Sequence, residues 1–162
     1  MKGIKAFIAV SLLGILLAGL SACGENDKGS YFSNEEEALK HFIQKEDVKG
    51  NIDLVTTVKD EKLLVTQTRE KTYFVGELAK GKNGYYTERI SDNVAMEDGG
   101  SWELNTLGGN EYTIYFEKDK EDLGYIQLSN GEYNTLLVKG HTITKKGLTL
   151  TSAIKRVEVV KD

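Results

Sequence analysis

NIDLVTTVKDEKLLVTQTREKTYFVGELAKGKNGYYTERI, residues 51–90, decides the fold. Apolar residues recur here at every second position, at Ile52, Leu54 and Val58, Leu63 and Val65, Phe74 and Leu78, Tyr86 and Ile90. That is the period of strands with one face buried. Between them lie short polar breaks, Lys59-Asp60-Glu61, Arg69-Glu70-Lys71 and Gly81-Lys82-Asn83-Gly84. Connections this short join antiparallel neighbours, because parallel crossovers need a dozen residues or more. The stretch predicts a four-stranded meander.

Upstream, Ser33 and Glu36 have the spacing of a capping box, and Glu35, Glu36 and Glu37 put negative charge at the positive end of a helix dipole. Ala38, Leu39, Phe42 and Ile43 follow as one apolar stripe, so a helix of about three turns starts at Ser33 and ends before Gly50. Downstream of an irregular link at residues 91–100, the period of two returns at Trp102 and Leu104, at Tyr112, Ile114 and Phe116, at Ile126 and Leu128, and at Leu136 and Val138. Asn130-Gly131 is a strong hairpin signal and occupies the place of Asn83-Gly84 in the first half, which suggests an internal duplication of two meanders. Lys155 to Val160 reads as a last strand. The expected fold class is α+β, mostly β: an N-terminal helix with about eight antiparallel strands, as a two-sheet sandwich or a barrel. If Ile52, Leu54, Leu63, Val65, Phe74, Leu78, Trp102, Leu104, Ile114, Phe116, Ile126 and Leu128 fill one face, alternation puts Val55, Leu64, Tyr73, Val75, Tyr85, Tyr115 and Tyr125 on the other. The helix covers only part of that second face. Tyr73, Tyr85, Tyr115 and Tyr125 are the candidate partner-binding surface, tyrosine joining a large apolar body to a polar tip, and the alternative is ordinary cross-strand pairing on a solvated face.

The first 23 residues set the location. Lys2 and Lys5 precede an uncharged apolar run from Ala6 to Leu20, and Leu20-Ser21-Ala22-Cys23 closes it. The layout is that of a secretory signal, and the run is short for a span of about 20 apolar residues. LSAC resembles the lipobox of bacterial lipoproteins. The resemblance implies cleavage before Cys23, a diacylglyceryl group on its sulfur, and residence on the extracytoplasmic face of the cell membrane. Residues 1–22 are then the signal peptide, 23–32 the lipidated cysteine with a polar tether, and 33–162 one domain. In its lysine-over-arginine usage and its helix-then-meander order, that domain is similar to small lipoproteins of Gram-positive-type bacteria.

Loss of Lys2 and Lys5 with residues 1–22 takes the net charge from −4 to −6. An acidic domain without a basic stripe is a poor partner for nucleic acid. Cys23 is the only cysteine, so the domain has no disulfide and no thiolate nucleophile, and no proline sets a turn. Neither His41 nor His141 sits in a metal or catalytic spacing, and Ser101 lies in no GxSxG. Glu117, Asp119, Glu121 and Asp122 lack the ligand spacing of a calcium loop and read as a solvated hairpin tip. No cofactor or metal is implied. The reading is a non-enzymatic module that binds an envelope protein, polymer or small ligand; the alternatives are an enzyme working through scattered carboxylates such as Glu88 or Glu103, or a structural lipoprotein.

Replacing Cys23 with alanine is expected to abolish incorporation of radiolabelled fatty acid in cells. Acyl label on the Cys23→Ala chain would contradict the lipobox assignment.

Overall fold

The computed structural model describes residues 30–120, 124–147 and 149–161. The signal segment, Cys23, and Glu121 and Asp122 of the acidic tip lie outside the described residues. Among the described residues one helix, α1 (Glu35–Lys45), precedes ten strands: β1 (Ile52–Thr57), β2 (Lys62–Arg69), β3 (Thr72–Gly81), β4 (Gly84–Arg89), β5 (Val94–Ala95), β6 (Gly99–Asn105), β7 (Glu111–Glu117), β8 (Ile126–Gln127), β9 (Asn134–Lys139) and β10 (Ile154–Lys161). All pairings are antiparallel. The larger sheet runs β10-β1-β2-β3-β4 with β5 beside β3, and the smaller runs β6-β7-β9-β8. The two sheets face each other as a sandwich rather than closing into a barrel.

Helix α1 starts one residue later than the capping-box spacing suggests. Asn34 is the N-cap and its Oδ1 accepts the Glu37 N–H at 2.9 Å, while the Glu37 carboxylate reaches back to the Ser33 hydroxyl at 2.8 Å. At the other end Val48 N–H bonds to Ile43 O and Asp47 N–H to Gln44 O, with Asp47 at φ 48°. This is a Schellman closure with aspartate where glycine is usual.

The predicted meander β1-β2-β3-β4 is present, and β10 completes its sheet by pairing with β1. The second half is not a second copy. Strand β9 inserts between β7 and β8, so the order departs from a meander and the suggested duplication does not extend to topology.

The face assignment requires a correction. Leu54 pairs with Leu64, and Val55 with Leu63, so Ile52 and Leu54 share a face with Leu64, Phe74 and Leu78 under Ala38 and Phe42 of the helix. Leu63 and Val65 stand instead with Val55, Tyr73 and Val75 in the core between the sheets, against Tyr112, Ile114, Phe116, Tyr133 and Leu137. All six residues of β1 are buried, as are five or more consecutive residues in both β2 and β3. Strands covered on both sides lose the apolar-polar alternation from which parity is read. Gly76 marks how closely the helix approaches: a Cβ there would stand 2.7 Å from Phe42 Cζ. Gly84, at φ 129°, lets Phe32 pair with Tyr85 as an extra edge segment, since a Cβ would meet Phe32 O at 2.3 Å.

Two polar clamps tie the sheets at opposite ends of β1. At its C-terminal end the Glu61 carboxylate accepts hydrogen bonds from Thr106 Oγ1 (2.7 Å), Asn110 Nδ2 (2.7 Å), Tyr112 OH (2.6 Å) and Thr57 Oγ1 (3.1 Å), and Glu77 accepts the Leu107 N–H at 2.7 Å. The β6–β7 turn is thereby fixed to the larger sheet. At the other end Asp53 accepts the Ser129 N–H and hydroxyl, each at 3.1 Å, and Asn130 donates to Gln67 and Tyr73. Buried polar groups are tolerated when satisfied in this way.

The carboxylates answer to pH in opposite senses. Burial works against the Glu61 charge, but its hydrogen bonds from Tyr112, Thr106, Asn110 and Thr57 prevail and hold its pKa below the ordinary 4.5. Burial pushes Glu77 up, and the Leu107 N–H only partly offsets it. Glu61 therefore contributes stability that is complete above pH 4.5 and is lost as the pH falls through its lowered pKa, whereas Glu77 costs stability as the pH rises past 4.5. Thermal melts across acid and neutral pH should show Glu61→Gln losing less on acidification than the parent. Glu77→Gln should gain at neutral pH and lose that gain in acid. A Glu61→Gln domain with a steeper acid decline would contradict the clamp.

Candidate functional site

The four tyrosines do not converge. Tyr73 is 2 % exposed and packs between the sheets, its ring 5.2 Å from Phe116 and edge-on to Tyr133 at 5.7 Å. Burial, first of several causes, drives its phenol pKa far above the ordinary value. Tyr85 lies under the helix layer, paired through its backbone with Phe32 and with Lys80 over its ring. Tyr115 is on the outer face of the smaller sheet, where its hydroxyl meets Thr142 Oγ1 at 2.9 Å. Tyr125 precedes β8 and donates to Glu117 Oε1 at 2.8 Å. The larger sheet's second face is covered by the smaller sheet, so an open tyrosine face does not form.

What the fold does assemble is a cleft of about 620 Å³ at the side of the sandwich, lined by Arg89, Ile90, Ser91, Asp92, Val94, Trp102 and Glu103. It opens where β4 ends, the chain crosses between sheets through residues 90–98, and edge strand β6 begins the second sheet. Each wall has a local cause. Ile90 and Ser91 both donate their N–H to Val75 O, at 2.9 and 3.1 Å, and Ser91 Oγ accepts the Val75 N–H at 2.8 Å. This turns the chain sharply off β4. The turn places Ser91 O 2.8 Å from Arg89 Nε, and the guanidinium lies over the Phe74 ring at 4.2 Å with Glu46 at 3.6 Å. Planar stacking and a forked donor suit arginine here, and lysine would supply neither.

Across the cleft Trp102 stacks on Phe116, centroids 5.0 Å apart and planes 13° from parallel. Its Nε1 is buried and has no hydrogen-bond partner. An indole N–H removed from water without an acceptor costs about 1–3 kcal/mol, which sets it apart from the satisfied clamps. Glu103 accepts the Ile143 N–H at 3.3 Å and lies 3.7 Å from His141 Nδ1, and His141 Nε2 is likewise buried without a partner. The cleft thus offers a cationic edge at Arg89, hydroxyl and carboxylate groups at Ser91, Asp92 and Glu103, and an aromatic wall at Trp102.

Of the two carboxylates considered for catalysis, Glu103 lines this cleft. Glu88, paired with Glu77 on β4, is not among its lining residues. His41 packs against Phe32 at 4.9 Å and takes no part either. No group of three or more His, Cys, Asp or Glu stands ready to hold a metal among the described residues. Arg89, Asp92 and Trp102 were not legible as a site from spacing: Trp102 reads as an ordinary inward strand residue, and Arg89 as a polar strand end. The available signal was scarcity, since Trp102 is the single tryptophan and Arg89 one of three arginines. Comparison with protein-family models, curated proteins and solved structures finds no match to this chain.

Proposed function

We propose that this chain is a membrane-anchored extracytoplasmic lipoprotein whose sandwich serves as a non-enzymatic binding module, with the cleft between Arg89 and Trp102 as its ligand site. The lipobox at Leu20-Ser21-Ala22-Cys23 supports the anchor. The observation that carries the binding site is a cleft of about 620 Å³ whose lining sets Trp102 beside Arg89, Asp92 and Glu103. Aromatic walls edged by charged and hydroxyl groups suit a ligand with apolar faces and many hydrogen-bonding edges. Among envelope components, glycan fragments have that character.

Because Trp102 is the only tryptophan, its emission reports on the cleft directly. Titration with soluble cell-wall glycan fragments should change the intensity or wavelength saturably. Arg89→Ala should weaken the apparent affinity about ten- to a hundredfold, the worth of a charge-assisted hydrogen bond. Emission that ignores every fragment, or affinity unaltered in a folded Arg89→Ala domain, would contradict the cleft as the site.

A further inference from the structure

Exposed large apolar side chains gather at one end of the sandwich. Tyr31, Val58, Leu107, Ile143 and Leu150 are 37 to 48 % exposed, and each lies outside the strands, in a turn or link at or near that end. Val58 is in the β1–β2 turn and Leu107 in the β6–β7 turn, which Glu61 and Glu77 bind to each other's sheet. Leu150 shares a groove of about 550 Å³ with Val58 and Lys139, and Ile143 donates its N–H to Glu103 on β6. Tyr31 closes the set beside the β3–β4 turn, its ring 5.3 Å from Tyr86 and 3.1 Å from where a Cβ on Gly81 would stand. The remaining exposed large apolar side chain, Val159, lies on β10 opposite Asp53, toward the far end.

Lysines stand among these tips. Lys59, Lys82, Lys139, Lys145 and Lys146 are exposed around the apolar tips. Of the nearby carboxylates, Asp60 is held by Lys155 at 2.5 Å, Glu35 by Lys62 at 2.6 Å, Glu61 and Glu77 are committed to the clamp, and Glu36, Glu37 and Glu111 are exposed. Apolar tips ringed by lysine match a bilayer with anionic headgroups, the tips entering the interface and the cations meeting phosphate.

The point of chain entry selects this occupant over a protein partner. Tyr31 belongs to the apolar end, and the eight residues from Cys23 to Ser30 reach at most about 30 Å even when fully extended. A domain of this size is roughly 35 Å across. An acyl group on Cys23 therefore keeps this end nearest the membrane and cannot readily bring the far end to it.

We infer that the end bearing Tyr31, Val58, Leu107, Ile143 and Leu150 is a membrane-resting surface that seats the domain on anionic phospholipid. The inference rests on the proposed lipid anchor and adds a second, non-covalent contact to it.

The test uses the chain from Cys23 onward with a single fourteen-carbon chain attached chemically to the Cys23 sulfur. One such chain gives only marginal binding, with an association constant of about 10⁴ M⁻¹, so any contribution from the domain shows. On phosphatidylglycerol vesicles the parent should bind at least about tenfold more tightly than the Leu107→Asp/Leu150→Asp variant, given the worth of two apolar side chains. Val159→Asp should bind like the parent, and added salt should weaken all three. Amide exchange at residues 57–60 and 106–110 of the parent should slow on vesicles while residues 129–132 are unaffected. Equal binding by parent and double variant, or no protection of those turns, would overturn the surface. Because the acyl chain is attached chemically, that outcome is separate from a failure of Cys23 to be acylated in cells.

Discussion

The structure depends on one constraint: the middle strands of the larger sheet are apolar on both faces. β1, β2 and β3 cannot leave either side in water, so the sheet must be a middle layer, with α1 on one side and the smaller sheet on the other. At about 25 cal/mol for each Å² of apolar surface, burial on two faces is what offsets the entropy of ordering a domain that has no disulfide. The helix is held by Phe42, which reaches Phe74 across the space left open at Gly76. The smaller sheet contributes the Phe116-Tyr133-Trp102 group, into which Tyr73 inserts from the larger sheet.

Apolar burial does not fix how two sheets slide over each other, and the polar clamps supply that register. Glu61 gathers four donors, three of them from the β6–β7 hairpin. A hydroxyl so used is hard to ionise: burial together with the bond to Glu61 pushes the Tyr112 phenol up to about 12. Asp53, Gln67 and Tyr73 do the corresponding work for the Ser129-Asn130 turn. Function is built on what this frame leaves over. The cleft forms where the chain passes from one sheet to the next, and it shares none of its lining with the apolar tips at the chain-entry end. In the proposed arrangement the domain rests on the bilayer by one end and keeps its cleft open at the side.

Element type and order were legible because their causes are local. The helix is written in its first-turn glutamates and apolar stripe, the meander in polar breaks too short for crossovers, and β10 in the β-branched run Val157, Val159 and Val160. Face parity was not legible: in Leu63-Leu64-Val65 every position is apolar, so nothing local tells which of them points at the helix. The same gap misplaced Tyr73 onto an open surface. The position of β9 inside the smaller sheet, and the approach of Arg89 to Trp102's cleft, arise from pairings far apart in sequence, which periodicity does not encode.

Native-state hydrogen exchange tests the middle-layer account most directly. Amides of β1, β2 and β3, covered on both sides, should exchange slowest and only through global unfolding, with β6, β7 and β9 opening no later than they do. Strands of the smaller sheet that stay protected after β1–β3 have exchanged would contradict the claim that the larger sheet is the layer on which the rest is built.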